Sequence, residues 1–176
     1  AMYYQYQHHN SAKGHSGQQQ PLEEVKSVKK AKDAYDVIVV GTDPEGIAAA
    51  VSSARNGLST LLVDGRDREI FGGLMTLGWI NSLDNNYSTS KTLLGKDDVW
   101  NKGYFSEWYA KTEGDSFDVH TAANAFYDAV KNEKNIDVLM KTKKIEPLLS
   151  SNKNSVQGAT ITLENGSTQV VKAFSV

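Results

Sequence analysis

Apolar residues in the N-terminal half of the chain follow a strand pattern, then a helical pattern, then a strand pattern again. Residues 35–41 (YDVIVVG) form a continuous β-branched run that ends in glycine, which is typical of a strand buried on both faces. Residues 44–57 (PEGIAAAVSSARNG) place small and apolar residues at helical spacing and close with the helix stop Asn56-Gly57. Residues 58–64 (LSTLLVD) predict a second buried strand. Together these segments predict a βαβ unit with a right-handed crossover.

The rest of the chain adds helices and a small antiparallel meander to this unit. Residues 99–114 and 116–135 have the pattern of two helices, and residues 136–142 have that of a third strand. Asn165-Gly166, between two apolar runs, is a strong hairpin signal. The second helix is expected to begin at Ser116 or Asp118 and to bury Ala122, Ala125, Phe126, Ala129 and Val130. The fold class predicted is α/β, with a parallel sheet, helices and an antiparallel β-meander.

The first 34 residues differ in composition from the remainder. They are rich in Gln, His, Tyr and charged residues and show no apolar periodicity, so we expect residues 1–34 to be a polar flexible tail and linker. The organised domain is predicted to span residues 35–176. His8, His9 and His15 are interpreted as part of the solvated tail, because no second ligand cluster follows at a fixed spacing, and no metal site is predicted.

Charge and cysteine content restrict the function. The net charge of −2 gives no electrostatic reason to expect a nucleic acid or an anionic membrane as partner. The sequence has no cysteine, which excludes disulfides, thiolate-ligated metals and thiol catalysis. It also has no apolar run of the roughly 20 residues that a membrane-spanning helix needs. No leader pattern is visible, so the cytoplasm is the default expectation, and export stays open if a leader has been removed.

The turn after the first predicted strand, GTDPEG, nearly matches the dinucleotide fingerprint G-x-G-x-x-G. Gly41 suits the tight turn, and Gly46 suits close packing of the helix on the strand. Asp64 ends the second strand 23 positions after Gly41, where an acid that binds a ribose is expected at roughly 20. The middle glycine, which lets a pyrophosphate approach the backbone, is replaced by Asp43.

Asp43 leaves two interpretations of this turn open. The favoured one is a cofactor-binding loop with altered phosphate contacts. In the other, Asp43 is the N-cap, Pro44 the first helical residue and Glu45 an acid in the first turn, so that the helix satisfies its own amides and binds a ligand poorly or not at all.

The segment DVIVVGTDPEGIAAAVSSARNGLSTLLVD, followed by GGLMTLGWINSLD, resembles the N-terminal FAD-binding part of glutathione-reductase-like flavoproteins, in particular a bacterial group of FAD-dependent oxidoreductases. The resemblance covers residues 35–176 and implies a Rossmann-like fold, FAD as cofactor and a small-molecule redox substrate of unknown identity. It implies cofactor contacts at Gly41, Thr42, Asp43, Pro44, Glu45 and Gly46 around the pyrophosphate, Asp64 at the adenosine ribose, Gly65 and Arg66 in the adenosine pocket, Gly72, Gly73, Met75 and Thr76 along the pyrophosphate and ribityl chain, and Lys144 beside the adenine.

The sequence departs from this family in one further respect. The family continues after the meander with a parallel strand and a flavin-contacting segment, whereas this sequence ends at AFSV. We therefore expect a partial domain that is incomplete at its C-terminus, no nameable catalytic residue, and an unpaired strand edge that invites self-association. Trp79, Trp100 and Trp108 are expected to be packing residues rather than flavin stackers.

Two other functions stay open from the residues alone. One is an NAD(P)-binding Rossmann module, which would share the first turn and Asp64. The other is a non-catalytic nucleotide fold that is used for assembly.

Overall fold

The computed structural model describes residues 19–65, 68–83 and 102–176. The predictions for Arg66, for Trp100 and for the three tail histidines lie outside the described residues. The strands are β1 (Ala34–Val40), β2 (Thr60–Val63), β3 (Ile136–Leu139), β4 (Lys144–Leu149), β5 (Val156–Thr162) and β6 (Thr168–Ser175). The helices are α1 (Pro44–Arg55), α2 (Tyr104–Tyr109) and α3 (Val119–Lys131), and a 3-10 turn covers Gly73–Met75.

All six strands form one mixed sheet in the order β3-β2-β1-β6-β5-β4. β1, β2 and β3 are parallel neighbours, whereas β4, β5 and β6 form an antiparallel meander. β6 joins the two halves, because it pairs with β5 as far as Lys172 and with β1 from Lys172 to Ser175. The structure therefore confirms the predicted α/β class with its parallel sheet and meander.

The three helices pack on one face of the sheet around a shared hydrophobic core. α3 begins at Asp118, whose carboxylate accepts hydrogen bonds from the backbone N–H of His120 (2.8 Å) and of Thr121 (3.0 Å). The apolar face predicted for this helix is buried, as expected (Ala122, Ala125, Phe126, Ala129 and Val130). Among the described residues, no helix has the length and apolar character needed to cross a membrane.

Two described tryptophans have different environments. Trp108 is 1% exposed and stacks on Phe126, with ring centroids 4.9 Å apart, so the prediction of a packing role is confirmed. Trp79 is 68% exposed and has a positive φ of 56°, so the prediction that it packs in the interior is wrong. The reason is local: Trp79 follows the 3-10 turn in a loop whose apolar side chains point outward.

Residues 19–33 pack on the domain, which differs from the flexible tail expected from composition. Val28 donates its N–H to the carbonyl of Val138 (2.8 Å) on the edge strand β3. Ala31 exchanges two hydrogen bonds with the buried side-chain amide of Gln169. The physical reason is that Val28 and Ala31 cover the second face of the sheet, which the helices leave open. The boundary between tail and domain at residue 35 stays a prediction.

Candidate cofactor-binding site

The turn from β1 into α1 has the geometry that its two glycines predict. Gly41 has φ +112°, a conformation that favours glycine, and its N–H donates to the carbonyl of Val63 (2.8 Å). A Cβ on Gly46 would lie 3.0 Å from the carbonyl carbon of Gly41 and would overlap with its oxygen. α1 can therefore approach β1 this closely only because residue 46 is glycine.

Asp64 links the turn to the end of β2. Its carboxylate accepts hydrogen bonds from the backbone N–H of Thr42 (3.0 Å) and from the Thr42 hydroxyl (2.6 Å). Asp64 is 1% exposed, and the carboxylate is directed toward the turn. In this structure Asp64 fixes the shape of the turn, while its expected contact with an adenosine ribose stays a prediction.

The Gly72-Gly73 pair lies directly against the same turn. The N–H of Gly72 donates to the carbonyl of Thr42 (2.9 Å), and both glycines have positive φ, +106° and +52°. A Cβ on Gly72 would lie 2.7 Å from Thr76 and 2.8 Å from Phe126. Two segments that are about 30 residues apart in the sequence thus form one backbone cradle without side chains on its inner glycines.

The residues after the Gly pair support it from behind. Thr76 is buried, and its hydroxyl donates to the carbonyl of Phe71 (2.6 Å). Met75 is half-buried and packs against the core beneath the helices. Of the predicted residues along the ribityl chain, these two therefore hold the loop in place in the protein alone.

Asp43 occupies the N-cap position of α1, as the self-capped interpretation predicts, and Pro44 follows at the first helical position. Within the described part of the chain, however, the Asp43 side chain makes no capping hydrogen bond to the helix. Its carboxylate instead pairs with the Arg68 guanidinium, with Oδ1 and Nη1 2.5 Å apart. The part of the self-capping interpretation that assigns the carboxylate to the helix amides is therefore wrong, because the cation offers the stronger hydrogen bond.

Arg68 is the site residue that sequence reasoning missed. It is 8% exposed, and its Nε lies 3.8 Å from Asp64 Oδ2, so it sits between both carboxylates. The one signal available was its position four residues after Asp64, in a loop without periodicity.

Other predicted residues lie toward the β2 and β4 ends of the site. Gly65 is exposed and follows β2, and a Cβ there would meet the Ile145 side chain at 3.4 Å. Lys144 begins β4, and its ammonium pairs with Glu146 (2.8 Å). Glu45 is exposed in the first turn of α1. The contacts of these residues with a cofactor stay predictions.

A cavity of about 680 Å³ lies next to the cradle, between the N-terminal segment, the end of β3 and the β5–β6 hairpin. Arg68 and Met140 are among its lining residues. None of the cofactor-binding residues predicted from the sequence lines this cavity among the described residues. Arg68 thus borders the cavity with one part of its side chain and meets Asp43 with its guanidinium.

The parallel sheet, the glycine turn at the carboxyl end of β1 and the acid at the end of β2 define a dinucleotide-binding class of α/β protein. Comparison with known proteins narrows this class. The family model for FAD dependent oxidoreductases matches residues 36–176, and the chain belongs to this family. FAD is the cofactor that defines the family, which confirms the family and cofactor expected from the resemblance.

Similar proteins share the fold or part of the sequence. The alkyl hydroperoxide reductase of Escherichia coli (strain K12) has a subunit that is 52% identical over 61 residues, which are 35% of this chain and 11% of that protein. An uncharacterized protein in the nifH2 5′ region of Methanosarcina barkeri is 45% identical over 47 residues, 27% of this chain and 25% of that protein. This chain therefore spans only a small part of the length of the curated relatives that it matches.

A solved structure shows the fold at greater coverage. The 3-ketosteroid-delta4-(5alpha)-dehydrogenase from Rhodococcus jostii RHA1 superposes with a TM-score of 0.55 at 12% identity, and the match covers 86% of this chain and 47% of that enzyme. At this identity the likeness concerns the fold.

Proposed function

We propose that this chain binds the ADP half of FAD across the β1–α1 turn and the Gly72-Gly73 pair, as the cofactor-binding part of a flavin-dependent oxidoreductase. The observation that carries the proposal is the glycine cradle. A Cβ on Gly46 or on Gly72 would collide with neighbouring atoms of the turn or loop, so these positions are kept open for close backbone approach. Gly72 is hydrogen-bonded to Thr42, which sets the two sides of the cradle at a fixed distance.

The proposed role of each group follows from its chemistry. Backbone N–H groups at the start of α1 and in the Gly pair would donate to the diphosphate, helped by the positive end of the helix dipole. Asp64 would keep Thr42 in place and stand at the ribose end, with Gly65, Arg66 and Lys144 around the adenosine. Met75 and Thr76 would support the loop along the ribityl chain. The flavin, when bound, supplies the redox chemistry, and this chain binds and orients it.

The small-molecule substrate and the enzyme activity of a longer protein belong to the same proposal. The NAD(P)-binding alternative would use the same first turn, so binding data must separate the two cofactors. The assembly alternative predicts no nucleotide binding at all.

The test is a titration of FAD with the 176-residue chain, followed by flavin fluorescence, with ADP, NAD⁺ and riboflavin as competitors. We expect FAD binding that ADP displaces and riboflavin does not, because the ADP half carries the contacts. Tighter binding of NAD⁺ than of FAD would favour the alternative cofactor, and no binding of either would favour the assembly module.

A matched pair of glycine variants separates cradle contacts from backbone strain. Gly72→Ala adds a methyl group inside the cradle at φ +106°, whereas Gly166→Ala adds one at φ +88° in the β5–β6 hairpin, with no atom within 4 Å. Both variants carry the strain of a left-handed backbone. We expect Gly72→Ala to weaken FAD binding at least ~10-fold, about 1.4 kcal/mol, and Gly166→Ala to leave it unchanged. Equal affinities of the two variants would contradict the cradle.

A further inference from the structure

The Asp43 carboxylate lies in the space between the two glycine segments of the cradle. A Cβ built on Gly73 would overlap with Asp43 Oδ1 and would lie 2.7 Å from Asp43 Cγ. The side chain therefore contacts the Gly pair across the opening that the missing middle glycine would leave free. In the dinucleotide fingerprint, this opening is where a pyrophosphate approaches the backbone.

The carboxylate has a cationic partner in that space. Arg68 Nη1 lies 2.5 Å from Asp43 Oδ1, and Arg68 Nε lies 3.8 Å from Asp64 Oδ2. The Arg68 side chain is 9% exposed, whereas that of Asp43 is 29% exposed. A buried guanidinium needs an oxyanion, and phosphate oxygens fit its fork as well as a carboxylate does.

We infer that Asp43 is an internal competitor for the FAD diphosphate, and that Arg68 exchanges the Asp43 carboxylate for a phosphate when the cofactor binds. This inference rests on the proposed function. A carboxylate and a diphosphate repel each other at the same place, so one of them must leave. Asp43 is the group that can leave, because its side chain reaches solvent while Arg68 stays buried and anchored beside Asp64.

The exchange has a direct consequence for affinity. Part of the free energy gained when Arg68 contacts the diphosphate is lost in breaking its pair with Asp43. Asp43 therefore weakens FAD binding, and the loss of its charge should strengthen it. Loss of the Arg68 charge should act in the opposite direction, because the diphosphate would then face two carboxylates.

The experiment measures the Kd of FAD and of ADP for the full chain at fixed ionic strength, with circular dichroism to show that each variant is folded. Asp43→Asn keeps the shape of the side chain and removes the charge, and Asp43→Gly also removes its volume beside Gly73. Glu69→Gln is the matched control, because Glu69 is an exposed acid next to Arg68 and its loss changes the net charge by the same amount. We expect both Asp43 variants to bind FAD and ADP at least ~10-fold more tightly than the wild type, about 1.4 kcal/mol, and Glu69→Gln to bind as the wild type does.

Arg68 variants complete the test. Arg68→Met should weaken FAD binding at least ~10-fold, and Arg68→Lys, which keeps the charge without the fork, should fall between it and the wild type. If Arg68→Met does not fold, Arg68→Lys and the Asp43 variants still decide the question.

The outcomes separate this inference from the proposed function. If the wild type binds FAD and Asp43→Asn binds no more tightly, the inference is overturned and the proposed function stands. An equal gain in Glu69→Gln would also overturn it, since a general charge effect would then suffice. If neither the wild type nor any variant binds FAD, both fail. FAD binding that is seen only in the Asp43 variants would support both.

Discussion

Gly46→Ala is the substitution for which sequence preference and structure predict opposite results. In an isolated helix, alanine in place of glycine stabilises by about 1 kcal/mol. Here the added Cβ would lie 3.0 Å from the carbonyl carbon of Gly41, whereas carbon atoms at optimal separation are about 3.5–4.0 Å apart. Because the colliding atoms belong to the backbone, α1 must move away from β1 by on the order of 1 Å.

The magnitude follows from what this shift disturbs. Overpacking costs about 1–3 kcal/mol. A gap of this size also removes about a quarter to a half of the packing attraction of the side chains that α1 buries, Ile47, Ala50, Val51 and Ala54, which we take as about 2 kcal/mol in all. After subtracting the gain in helix propensity, the net loss is about 2–4 kcal/mol. For a chain of this size, that lowers Tm by roughly 4–16 °C.

The assay is thermal unfolding of the full chain without ligand, with Gly65→Ala as control. A Cβ on Gly65 would meet Ile145 at 3.4 Å, an ordinary contact, so its stability should change by less than about 0.5 kcal/mol. A Gly46→Ala protein that melts at or above the wild-type temperature would refute the close packing of α1 on β1.

Three further substitutions test other parts of the structure. Trp108→Ala should lower the free energy of unfolding in urea by about 3–5 kcal/mol, because the ring is buried against Phe126. Gln169→Ala should cost about 2 kcal/mol and speed hydrogen exchange at Ala31, whose backbone loses both partners. Burial of Asp137 opposes ionisation, but hydrogen bonds from Lys32 and from a tyrosine hydroxyl outweigh it and hold the pKa of Asp137 below its ordinary 3.8. Its stabilisation is therefore complete above pH 3.8 and is lost as pH falls below it, so urea unfolding should show the deficit of Asp137→Asn shrinking toward pH 3.

The elements that the sequence predicted correctly are those with local signals. The β-branched run before Gly41 and the Asp118 cap of α3 each depend on residues that are close in sequence. The Asn165-Gly166 hairpin is confirmed as well, with Gly166 at φ +88°. These signals survive folding because the structure uses them where they stand.

The features that sequence reasoning missed depend on contacts between distant segments. Arg68 meets Asp43 only because the loop after β2 folds back to the turn after β1, and no periodicity marks that loop. Val28 and Ala31 lie among lysines and glutamates, so their role in covering the sheet was hidden by the charge of their neighbours. Asp43 resembled a helix cap because position and residue type agree, yet a nearby guanidinium competes successfully for its carboxylate.

The most direct test of the cradle is to follow the backbone amides of the ¹⁵N-labelled full chain by NMR while FAD is added. The amides of Gly46, Gly72 and Gly73 should shift with FAD and with ADP, whereas that of Gly166 in the β5–β6 hairpin should not. If FAD binds and the shifts are confined to residues outside the turn and the Gly pair, the diphosphate is held elsewhere and the proposed site is wrong.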